Sequence, residues 1–181
     1  MFIKKTLLFI LVTGCCYAHC YSQQGDFCNA ITTIIRDAPN KFRNIRGKLI
    51  DANQNATLWA SGITVPGTIG SRFVYSMGLF YEGAFFQSKN EYELKAVYDK
   101  CRGILNDCLA PQGYIMTQSD NLYPGLSDYK KIIFMIDEKD NATQDVKDKT
   151  KPLSPPAHIT MEANYNKEVN KYTVVMYIFE H

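Results

Sequence analysis

The sequence predicts an α+β domain: an antiparallel sheet of about five or six strands with two helices on one face. The expected order is α-β-β-α-β-β-β, with room for one more strand. Three observations carry this. Phe27 to Ala38 and Glu91 to Leu109 repeat apolar residues at helical spacing. Ser71 to Gln87 and Pro156 to Tyr165 alternate in character from one residue to the next, as strands do. The strand-like segments come in runs and do not alternate singly with helices, which favours antiparallel pairing over a parallel, doubly wound sheet.

In the first helix Phe27, Ala30, Ile31, Ile34, Ile35 and Ala38 form one stripe. Pro39 breaks or kinks it, because proline removes a helix donor. Phe42 and Ile45 then continue the period towards Gly47, a natural helix stop. Thr57 to Val65 reads as a strand that ends at the turn pair Pro66-Gly67. Ser71 to Gln87 reads as one long ribbon with Phe73, Tyr75, Met77, Leu79, Tyr81 and Phe85 on one face. Gly78 or Gly83 marks a bend or bulge in it.

The second helix is the clearest element. Leu94, Val97, Tyr98, Cys101, Ile104, Leu105, Cys108 and Leu109 form its apolar stripe, charged residues lie opposite, and Pro111 stops it. Strands are expected at Gly113 to Thr117, Lys130 to Asp137, Pro156 to Tyr165 and Lys171 to Glu180. The third of these sets Ala157, Ile159, Met161, Ala163 and Tyr165 against His158, Thr160, Glu162 and Asn164, a strand with one wet face. The last contains YTVVMYIF, apolar on both faces as a central strand would be. Residues 138–155 form a charged, proline-containing loop. This element order resembles the layout of roadblock-type and profilin-like domains, an analogy of fold that implies no function.

The N-terminus addresses the chain for export. Lys4 and Lys5 precede a short apolar run, and small and mixed residues follow to Ser22. Residues 1–22 read as a signal peptide, leaving a single domain at 23–181. The alternative is a lipoprotein signal over 1–14, because Val12-Thr13-Gly14-Cys15 resembles the bacterial lipobox and would leave Cys15 lipidated. The protein is then periplasmic or secreted, or lipid-anchored to the envelope. No segment approaches the ~20 apolar residues of a membrane span.

Charge narrows the partners. The full chain has 20 Lys+Arg and 18 Asp+Glu; without Lys4 and Lys5 the two are equal. No basic footprint for nucleic acid or anionic lipid is left. The partner is expected to be an envelope or extracellular protein, or a second copy of the chain.

The mature chain keeps Cys28, Cys101 and Cys108, an odd number. Cys101 and Cys108 lie seven apart on one helix, hence ~10.5 Å apart at 1.5 Å per residue, too far to bond each other. Cys28 is expected to bond one of them, against the alternative of three buried thiols.

Little else suggests chemistry. Beyond the leader only His158 and His181 are histidines, and a Cys–His nucleophile pair needs His158 beside a cysteine whose stripe faces the core. The three cysteines lack the close C-x-x-C spacing of zinc ligands, so neither metal nor other cofactor is expected. Asp51 to Asn55 matches the first half of a calcium loop, then fails at Ala56 and Gly62. The compositional excess is aromatic, 13% of the chain. Tyr81, Phe85, Phe86, Tyr114, Tyr123 and Tyr129, near a strand end or flanking loops, form the candidate binding surface. The functional expectation is an exported, non-enzymatic binding domain. The alternatives are an envelope hydrolase or thiol enzyme, or a carrier of a small apolar ligand.

Overall fold

A computed structural model describes residues 24–120, 130–136, 157–166 and 170–180. Helix α1 (24–37) is followed by a meander of β1 (Arg46–Ala52), β2 (Thr57–Ser61), β3 (Gly70–Tyr75) and β4 (Leu79–Ser88). Helix α2 (Glu91–Leu109) then leads to a second meander, β5 (Tyr114–Asp120), β6 (Lys130–Ile136), β7 (Ala157–Asn166) and β8 (Lys171–Glu180). All eight strands form one antiparallel sheet in the order β1-β2-β3-β4-β8-β7-β6-β5. The two meanders therefore meet in the middle, with β4 against β8, and β1 and β5 are the edges.

The α+β class and the antiparallel sheet agree with the sequence reading, and both helices lie on one face. The strand count does not: the described residues form eight, and four rather than two precede α2. The profilin-like order falls with it. Two local errors account for the difference. The Phe42–Ile45 period is not helical. Past Ala38–Asn40, a 3-10 turn, Lys41 and Phe42 take left-handed backbone (φ 58° and 54°), and β1 begins at Arg46. Buried Asp37 holds this corner by accepting from the Asn44 backbone N–H at 3.0 Å and from the Asn40 side chain. The long ribbon is in fact a hairpin, turning at Ser76–Gly78 so that Tyr75 pairs with Leu79 and Phe73 with Tyr81. The one bulge in β4 falls between Ala84 and Phe86, not at Gly78 or Gly83.

The core lies between the helices and one face of the sheet. Phe73, Tyr81, Ile178, Ile159 and Phe134 stand side by side across β3, β4, β8, β7 and β6, all fully buried. Burying each such side chain contributes roughly 1.5–3 kcal/mol. From α1 and the corner after it, Phe27 meets Phe85 at 5.8 Å between ring centroids, and Phe42 meets Phe73 at 5.1 Å. Helix α2 is N-capped by Asn90, whose side chain accepts from the Tyr92 N–H. Its stripe of Leu94, Tyr98, Leu105 and Leu109 packs on the central strands. A disulfide joins Cys28 to Cys108, with Cα atoms 5.2 Å apart, tying α1 to the last turn of α2. Cys101 is free and buried. No described helix is long and apolar enough to cross a membrane.

Candidate functional site

Strand side chains alternate between faces, so the fully buried row fixes which residues face away from the helices. Leu58, Val74, Phe80, Phe179 and His158 line up across β2, β3, β4, β8 and β7 on that second face. Their aromatic members form a continuous cluster. Phe80 lies 5.2 Å from Phe179 and 5.8 Å from Tyr177, and His158 lies 5.2 Å from Phe179. No described helix covers this cluster.

The next row is polar. Arg72, Glu82, Tyr177 and Thr160 are aligned across β3, β4, β8 and β7. The Arg72 guanidinium pairs with the Glu82 carboxylate at 2.7 Å, and further along Lys131 pairs with Glu162 at 3.0 Å. Tyr177 thus sits between two ion pairs whose negative ends are nearest to it. Burial pushes its phenol well above the usual range, the Glu162 and Glu82 charges add to this, and Arg72 opposes it. The phenol stays protonated as a hydrogen-bonding group, and each carboxylate is already engaged by a cation. This arrangement suits recognition of polar groups better than proton transfer.

Exposed aliphatic residues flank the face at both edges. Ile115 and Met135 are opposed on β5 and β6, 46% and 49% exposed. At the other side Ile50 and Ile69, 60% and 63% exposed, line a groove of about 400 Å³ with Arg72, Glu82, Ala84 and Phe86. Among the described residues, no group of three or more His, Cys, Asp or Glu side chains converges as metal ligands would.

The aromatics singled out from the sequence fare differently. Tyr81, Phe85 and Tyr114 are in the core and form no surface. The hairpin and the bulge turn Tyr81 and Phe85 towards the helices, and Tyr114 donates from its hydroxyl to the Ala157 carbonyl at 3.5 Å. Phe86 is half-buried beside the groove. Tyr123, Tyr129, Cys15 and the loop at 138–155 lie outside the described residues. His158 and the cysteines are kept apart, the first on the face turned away from the helices, Cys101 and Cys108 on the helix side. The Asp51–Asn55 segment spans the β1–β2 hairpin, where the Asn53 side chain accepts from the Asn55 and Ala56 N–H groups, a polar turn.

The sequence reading missed Phe80, Tyr177 and Phe179. A signal existed: alternation assigns Tyr177 and Phe179 to the same face of β8, and Phe80 and Glu82 to the opposite parity from Tyr81. Only the pairing of β4 with β8 brings those sets together. The chain matches no known family model, no curated protein and no solved structure.

Proposed function

We propose that this chain is an exported, non-enzymatic binding domain that takes a protein partner of the envelope or extracellular space on the face of its sheet turned away from the two helices. One observation carries the reading: the aromatic row of Phe80, Phe179 and His158 continues into the exposed pair Ile115 and Met135, with two ion pairs alongside. An apolar strip rimmed by polar groups is what interfaces are built from. Export is supported by the leader-like N-terminus and by the Cys28–Cys108 bond, which suits an oxidising compartment. Attachment to a membrane then depends on whether Cys15 is lipidated. The thiol-enzyme alternative gains no support from Cys101, because burial pushes its thiol up to about 11 and the Lys100 charge only partly offsets this.

The test is cross-linking capture from envelope extract combined with light scattering of the purified protein, using wild type and the double substitution Ile115→Lys with Met135→Lys. Both residues are exposed, so the fold should tolerate the change. Wild type should capture a defined partner, or itself, and the variant should lose at least tenfold in binding. A monomeric wild type that captures nothing, or a variant that binds equally well, would refute the assignment.

A further inference from the structure

A second feature lies on the opposite side of the molecule, between the helices. The first turn of α1, the middle of α2, the Pro66–Gly67 turn and the end of β4 enclose a cleft of about 560 Å³. That volume falls within the roughly 300–1,000 Å³ of small-molecule sites. Phe27, Phe85, Val97 and Ile104 supply its apolar walls, and the Cys101 thiol, uncharged at neutral pH, lies among them. The cleft is held open by fixed geometry. The Cys28–Cys108 bond and the contact from the Gln24 side chain to Asp107 (3.3 Å) fix the approach of α1 to α2. Gly67 closes the far wall in a left-handed conformation (φ 86°) that favours glycine.

The charge at this cleft is one-sided. Lys100 is the only charged residue among those that line it, no carboxylate faces it there, and Lys100 takes part in no ion pair among the described residues. An apolar trough whose described lining carries one cation and no carboxylate complements a ligand with a hydrocarbon body and a negative head. We propose that this cleft binds a single-chain anionic amphiphile, its hydrocarbon lying against the packed Phe27–Phe85 pair and along Val97 and Ile104, and its carboxylate at Lys100.

The probes are dodecanoate, dodecanol and dodecyltrimethylammonium, titrated into the folded, oxidised protein by calorimetry, with stoichiometry from native mass spectrometry. Wild type should bind one dodecanoate per chain, dodecanol more weakly, and the cation least. Lys100→Glu should weaken dodecanoate about tenfold and leave dodecanol unchanged. Ile104→Trp, at a half-exposed position, fills the cleft and should abolish binding of both, with Val97→Trp as the second variant if the first melts early. The inference fails if dodecanoate does not bind at one per chain, if it binds equally to the filled variants, or if Lys100→Glu does not weaken dodecanoate relative to dodecanol. The cleft and the residues named on the far sheet face do not overlap, so the filled variants should capture the protein partner as wild type does.

Discussion

The Cys28–Cys108 bond closes a loop 80 residues long, and that separation sets the size of its effect. In the chain-entropy account, a cross-link of this span removes about 15 cal/mol/K from the unfolded ensemble, or about 4.5 kcal/mol at 25 °C. Replacing Cys28 and Cys108 together by Ala removes the constraint and, beyond the sulfur of buried Cys108, little packing, since Cys28 is half-buried. A domain of this size has roughly 5–15 kcal/mol to lose, so the variant should fold marginally. Its thermal midpoint should fall by about 13 °C, at roughly 2–4 °C per kcal/mol. Urea unfolding followed by circular dichroism, on wild type with and without reductant and on the double variant, measures this directly. Reduced wild type and the variant should superimpose. Two results would refute the reasoning: a loss below about 1 kcal/mol, or a native wild-type chain in which all three thiols of Cys28, Cys101 and Cys108 can be alkylated after unfolding without reductant.

Three further outcomes follow from the core and its charges. Tyr81→Ala removes a fully buried ring packed edge-on to Phe73 at 5.5 Å, and should cost about 3–5 kcal/mol in urea unfolding, against far less for Tyr81→Phe. Burial raises Tyr81 and Tyr114 to about 12 and Cys101 to about 11, so the unfolded chain gives up these protons first. Their contribution is complete below pH 8 and is lost as pH rises, between about 9 and 11 for Cys101 and about 10 and 12 for the tyrosines, on the order of 2 kcal/mol each; denaturant midpoints measured from pH 8 upward should decline, and a flat profile would contradict the burial. In double-mutant cycles, Lys131–Glu162, with side chains 22% and 16% exposed, should couple by about 1–2 kcal/mol, more than the wetter Arg72–Glu82 pair at under about 1 kcal/mol.

Much of this architecture was legible residue by residue, and where it was not the reason is physical. Helix α2 announced itself because its apolar stripe is long, charged residues lie opposite and Pro111 stops it; the Asn90 cap is visible only in the structure. The β3–β4 hairpin hid because its turn has three residues. Phe73, Tyr75, Leu79 and Tyr81 keep one parity through such a turn, so alternation reads the same for a hairpin as for a straight ribbon. Strand β1 hid because Phe42 and Ile45 fall at helical spacing while the backbone between them is turned by the Asp37 corner, a tertiary arrangement. The sheet face turned away from the helices was the hardest to see. Its aromatics come from β4 and β8, and the register that joins them is set by the whole fold and not by either segment.

That central pairing also sets the order in which the protein can be completed as it is made. β4 is synthesised early, but the strand that follows α2, β5, goes to the far edge, and the partner of Gly83 is Met176, 93 residues downstream. Until β8 arrives, β4 presents an unpaired edge that invites the wrong neighbour. Such distant pairing is slow to form, because the closure entropy comes before any contact rewards it. If the chain is exported before it folds, as proposed above, this delay works in its favour. The N-terminal meander cannot lock the sheet prematurely, and the last strand to emerge is the one that closes it.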